Sequence, residues 1–192
     1  MTAPDPAFVE AVAGVYLENK TAMKPVIRFI LRSSWFIDQA RWFTLYSWPV
    51  EFVVRSIREI GWNGFSVDSA RTPLTNMGQT LYEPPDVAGW ETGPGWFSSR
   101  AMLSRMNFAA TLAANQRFNL ARDAAYSRKT PDNMLSFFMD RLSPAYLDKG
   151  PSNDLVTYLR ANATWPATDA LLNTKSAGLA RLIVGSSEYQ FV

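Results

Sequence analysis

Three carboxylates, Glu83, Asp86 and Glu91, crowd one short stretch that also holds Pro84, Pro85, Trp90 and Trp96. Carboxylates so close together can act as general acid and base at a glycosidic bond, or form an all-oxygen Ca²⁺ site. Indole faces beside them would suit a stacked sugar ring. The plainer assignment is that the acids tether the loop to backbone N–H groups and arginines, while the tryptophans join the core. That plainer assignment is preferred. No catalytic residue, metal or cofactor is assigned.

Arg100, Arg105, Arg117 and Arg122 follow, with no acid between Glu91 and Asp123. Such a run can meet phosphate or anionic lipid, but four arginines over this length usually form a solvated face. Ser98-Ser99-Arg100 could receive an anion on free backbone N–H groups at a helix start. A simple N-cap is the preferred reading. With no His and no Cys in the chain, zinc sites and Ser-His or Cys-His nucleophiles are unavailable within it. Gly93-Pro94-Gly95 is not a phosphate loop, because no GK[ST] follows and no strand precedes it.

These residues must be positioned by helices. Asp5-Pro6 announces the first, running to Asn19, and Thr21 is expected to cap the second. The aromatic-rich Ser33–Tyr46 segment reads as a short helix and a loop. Ser47-Trp48-Pro49 opens a helix to Ile60, stopped by Gly61, with Val50, Val53, Val54 and Ile57 inward and Arg55, Arg58 and Glu59 opposite. Gly64–Arg71 reads as a loop and Thr72-Pro73 as the start of a short helix. Ser98 or Ser99 caps the longest helix, to about Gln116. Three more follow: Thr130-Pro131 to Leu142, Ser152 to Ala161, and Asn173 to Gly185. Strand-like alternation is absent. The expected fold is all-α, an irregular arrangement of six to eight helices around a long Pro/Gly/Trp-rich loop, with residues 1–192 as one domain.

Composition agrees with a globular chain: 192 residues, 47% hydrophobic and 19% charged, with seven Trp and twelve Phe. A net charge of +2 is too small to imply nucleic acid. There is no apolar run long enough to span a bilayer and no signal-peptide pattern.

The stretch Met77–Asn107 resembles the hallmark segment of a bacterial family, the domain of unknown function 1800. That pattern runs G-Q-x-L-F-x-P-P-x-V-x-G-W, then a Gly-rich turn, W-I-x-S, and a helix carrying L-x-R-x-N-F. Here it appears as Gly78, Gln79, Leu81, Tyr82, Pro84, Pro85, Val87, Gly89, Trp90, Trp96, Phe97, Ser99, Leu103, Arg105, Asn107 and Phe108. Weaker similarity extends from about Pro4 to the closing LIVGSSEYQ. Family members are usually more than twice as long, and the chain resembles their C-terminal half. The resemblance therefore implies a protein partner, either a separate N-terminal half or a larger assembly, and a periplasmic or extracellular location. Helices covered by that partner would expose a large apolar patch, with the first two helices and Trp35–Tyr46 as its expected place.

The loop and ligand candidates are Gln79, Glu83, Asp86, Trp90, Glu91, Trp96, Arg100 and Arg105. The functional reading is a non-catalytic structural or protein-interaction module. The alternative is a glycan-binding or glycan-active protein using Trp90, Trp96 and the nearby acids. Both indoles are expected to be mostly buried, with N–H groups bonded to loop carbonyls. At 100° per residue, Met102, Leu103, Met106, Ala109, Ala110, Leu112 and Ala113 form one apolar arc of the long helix, and Arg105 projects inside its margin. A buried guanidinium needs acceptors. The expected acceptor is one of Glu83, Asp86 and Glu91, Asp86 first, or else the carbonyls of Pro84–Gly89.

Overall fold

The computed structural model describes residues 5–38, 43–142, 144 and 149–192. Among them lie ten α-helices and no strand, so the all-α expectation is met. Two of the ten are single turns of four residues. The only pairings of β type among the described residues are the isolated bridges Tyr46–Phe191 and Asp86–Gly89. The chain divides into two compact units, residues 1–45 and 46–192.

The first unit holds α1 (Pro6–Glu18), α2 (Met23–Arg32) and α3 (Ser34–Ile37). Asp5 caps α1 by accepting from the Ala7 N–H at 3.0 Å, and Pro6 at the first position has no N–H to satisfy. Thr21 does not cap α2. It sits at φ 65°, its hydroxyl donates to the Lys20 carbonyl, and Ala22 stands at the N-cap without a side-chain bond. A left-handed Thr turns its oxygen away from the helix it precedes. Phe8 of α1 stacks on Phe29 (ring centroids 6.1 Å apart) and on Trp35 (5.1 Å). Trp42, part of the aromatic segment, lies outside the described residues.

The second unit holds α4 (Pro49–Ile60), α5 (Val67–Asn76), α6 (Ser99–Ala114), α7 (Leu120–Asp123), α8 (Pro131–Leu142), α9 (Lys149–Arg160) and α10 (Asp169–Val184). Its centre is the packing of α6 on α10. Phe108, Ala109, Leu112 and Ala113 of α6 are buried, as are Leu172, Leu179, Ala180 and Ile183 of α10. Alanine at these positions lets two helix backbones approach closely, while Leu and Phe fill the grooves beside them. Phe52 and Ile60 of α4, with Met134 and Phe138 of α8, close the same core.

Three boundaries differ from the sequence reading. The α5 helix starts six residues before Pro73, because Ser66 accepts from the Ser69 N–H at 3.3 Å and Pro73 is carried inside the helix. The α10 helix starts at Asp169, where Thr168 accepts from the Leu171 N–H at 3.3 Å. The α9 helix begins at Lys149 rather than Ser152. Gly61 ends α4 at φ 76°, and a Cβ there would stand 2.9 Å from the Arg117 Cβ. Only glycine satisfies both the left-handed turn and that close approach.

Candidate functional site

The hallmark segment leaves α5 at Met77 and immediately makes a long-range tether. The buried Gln79 accepts, through its side-chain oxygen, the Val50 N–H at 3.0 Å. Val50 lies in the first turn of α4, where N–H groups have no partner within the helix. Trp48 at the N-cap cannot supply an acceptor, so Gln79 does so from 29 residues away. Beyond Gln79 the chain emerges onto the surface. The Glu83 N–H donates to the Thr80 carbonyl at 3.1 Å, and this turn holds Tyr82 at φ 66°. A second turn is closed twice at Asp86, whose side chain accepts the Ala88 N–H at 2.7 Å and whose carbonyl accepts the Gly89 N–H at 3.2 Å. Tyr82 is 94% exposed and Val87 fully so. The chain then returns inward through a 3₁₀ turn, Gly93–Phe97, that buries Trp96 to 4% exposure against Trp48, ring centroids 6.1 Å apart. Ser98 caps α6 by accepting from the Ala101 N–H at 3.2 Å.

Arg105 is fully buried, as its place on the helical arc requires. Its acceptors are not those expected. Nη2 donates to the Ser47 carbonyl at 2.8 Å and Nη1 to the Gln190 side-chain oxygen at 2.9 Å. The guanidinium carbon lies 4.9 Å from the Phe52 ring centre and 4.8 Å from that of Phe97, a cation–π sandwich. Among the described residues no carboxylate pairs with it. Burial pulls its pKa down to about 10, opposed by the negative charge of Glu51. It still carries its charge at neutral pH. The Asp86 contact fails because Asp86 is exposed at the loop tip and spends its carboxylate on its own turn.

Gln190 is the hub of this clamp. Its amide nitrogen donates to the Val184 carbonyl at 3.2 Å and the Ser186 carbonyl at 2.7 Å, while its backbone carbonyl accepts the Ser47 N–H at 2.8 Å. One side chain thereby joins the end of α10 to Arg105 of α6, and its backbone adds the approach to α4.

Of the remaining candidates, Glu83, Asp86, Glu91 and Arg100 are all exposed. No group of three His, Cys, Asp or Glu that could hold a metal ion occurs among the described residues. Trp90 is half-buried. Neither indole N–H meets a protein acceptor, contrary to expectation. Clefts of about 510, 330, 460 and 550 Å³ lie on α4, beside α7, on α5 and between α9 and α10, and neither tryptophan lines any of them. Arg100 lies in the first turn of α6 and Arg117 lies beyond its last residue, Ala114, with a helix about 24 Å long at 1.5 Å per residue between them, so they do not form one anion surface.

Residues 1–191 match the model of the family described as Protein of unknown function (DUF1800). The chain belongs to that family. No curated protein and no solved structure matches it. The hallmark positions Gln79, Trp96 and Arg105 of this DUF1800 chain are thus internal fixings, and Tyr82 and Val87 are its outward face.

A second, partly buried network was missed in the sequence. Arg55 and Glu59 are not opposite the core but at its edge, Nε to Oε1 at 3.0 Å. Arg55 also donates to the carbonyls of Phe191 (3.0 Å) and Leu142 (2.9 Å) and lies 4.1 Å from the Tyr189 ring centre. The Tyr189 hydroxyl donates to Glu59. Val54, expected inward, is half-exposed, and Phe52 and Ser56 take the inner face instead. The i,i+4 spacing of Arg55 and Glu59 was the available signal, but it cannot tell a solvated pair from one covered by the closing segment.

Burial raises the Glu59 carboxyl above its ordinary 4.5, outweighing the hydrogen bond from Tyr189 and the charges of Arg55 and Arg141. Burial likewise raises the Tyr189 phenol, reinforced by Glu59. A carboxyl that binds its proton more tightly in the folded chain adds stability below its unfolded pKa, and that stability is lost as pH rises through the folded value. The melting temperature of Glu59→Gln, relative to wild type, should therefore increase between about pH 4 and pH 7. A difference that stays flat or falls across this range would contradict the assignment.

Proposed function

We propose that the chain is a non-catalytic structural and protein-interaction module of a larger exported bacterial assembly, with the hallmark loop as its docking element. The observation carrying this reading is the division of labour within the hallmark. Its buried polar residues are consumed in fixing α4, α6 and the closing segment, while its outer turns hold Tyr82 and Val87 in solvent beside Pro84 and Pro85. Two locked turns and a proline pair lower the entropy lost when such a loop binds. Holding Tyr82 at positive φ costs free energy that the surrounding turn offsets. The exported setting rests on family resemblance.

The glycan reading keeps one supporting observation, the partly exposed Trp90 next to the exposed Glu91. It is disfavoured because the three acids stand exposed without forming a group and because Trp96 is inside.

Photo-crosslinking separates the two. A benzophenone amino acid placed at position 82 or 87, in the organism that makes the protein, should give one discrete protein adduct that is absent from the exposed position 72. No adduct at either position, together with glycan-array binding lost on Trp90→Ala, would replace this proposal with the sugar reading.

A further inference from the structure

We propose that α2 is a binding surface for an anionic lipid membrane. On this helix Met23, Ile27 and Leu31 recur at i, i+4 and i+8 and are 56%, 51% and 50% exposed. Lys24, Arg28 and Arg32 repeat the same spacing one position later, and all three are exposed. At 100° per residue the two rows run side by side along the helix for about 12 Å. Val26 and Ile30, on the other flank of the apolar arc, are turned inward. The helix therefore divides its apolar residues, with one edge inward and one edge exposed beside cations. The outward apolar surface continues in α3, where Phe36 and Ile37 are exposed.

Charge decides the kind of partner. Lys20, Lys24, Arg28 and Arg32 are the charged residues between Glu18 and Asp38, and no acid lies among them. The exposed rows contain no amide or hydroxyl that would fix a register against a folded protein. They consist of aliphatic side chains and long flexible cations. Such a surface suits a bilayer interface, where aliphatic groups enter the acyl boundary while Lys and Arg extend to anionic headgroups. No helix among the described residues is long and apolar enough to cross a membrane, so the attachment is peripheral.

The test is co-sedimentation of the full chain with vesicles of phosphatidylcholine alone and of phosphatidylcholine with phosphatidylglycerol. Binding is expected only to the phosphatidylglycerol vesicles and should weaken as salt is raised. The triple variant K24E/R28E/R32E should lose at least tenfold in partitioning. I27S/L31S should lose severalfold while keeping its charge, with unchanged circular dichroism and melting temperature for both variants. Equal sedimentation with both vesicle types, or with neither, overturns the proposal. So does full binding by I27S/L31S, which would reduce the interaction to non-specific charge attraction. Self-association that the triple variant abolishes, without vesicle binding, would assign the surface to a protein partner instead. If either variant melts early, single substitutions Arg28→Gln and Ile27→Ser replace it, with the same direction and a smaller loss.

Discussion

Replacing Arg105 by Leu should lower the unfolding free energy by about 2–5 kcal/mol in a urea titration, because two buried acceptors lose their donor. The substitution leaves the Ser47 carbonyl and the Gln190 side-chain oxygen, both deeply buried, without a donor. Each unsatisfied group costs roughly 1–3 kcal/mol, and a leucine occupying part of the vacated volume recovers only some packing. Arg105→Lys should lose about 2 kcal/mol. One ammonium cannot reproduce a planar fork that reaches two acceptors while lying between the Phe52 and Phe97 rings. Unchanged stability in the lysine variant would remove Arg105 from its structural role.

Trp96→Ala should cost about 3–5 kcal/mol, the usual effect of truncating a buried aromatic side chain. The ring is almost fully enclosed and packs against Trp48, which precedes α4. Trp90→Ala should cost less, because that ring is partly exposed. Both rings are mostly buried, as the sequence leads one to expect, but Trp96 is the more enclosed of the two. Paired denaturation curves decide it, and a larger loss at Trp90 would make the outer loop, not its return, the anchored part.

Local signals served the helices well where a cap and a proline coincide. Asp5-Pro6 and Thr130-Pro131 mark starts that the structure reproduces. They misled where proline was read as a start but stands inside a helix, as Pro73 does after the Ser66 cap. Burial of Arg105 was legible because helical geometry alone puts it on the apolar arc. Its partners were not. Ser47 and Gln190 lie 58 and 85 residues away, and periodicity carries no information about contacts at that separation. The only acceptors a sequence offers are the acids close by, Glu83, Asp86 and Glu91. Those acids stay in solvent, where an unpaired carboxylate is well hydrated and nothing favours its burial. The same limit hid the role of Glu59 and Arg55, which only the closing segment turns from a helix-surface pair into a buried one.

Amide hydrogen exchange on wild type and Arg105→Lys tests most directly whether the hallmark arginine braces the closing segment. The Ser47 N–H donates to the Gln190 carbonyl, so its protection reports on the clamp. In the lysine variant, exchange should accelerate at Ser47 and across residues 186–191, while the Thr80–Gly89 turns exchange as in wild type. Faster exchange in those turns, with Ser47 and the closing segment unchanged, would show that Arg105 holds the loop and would contradict the account.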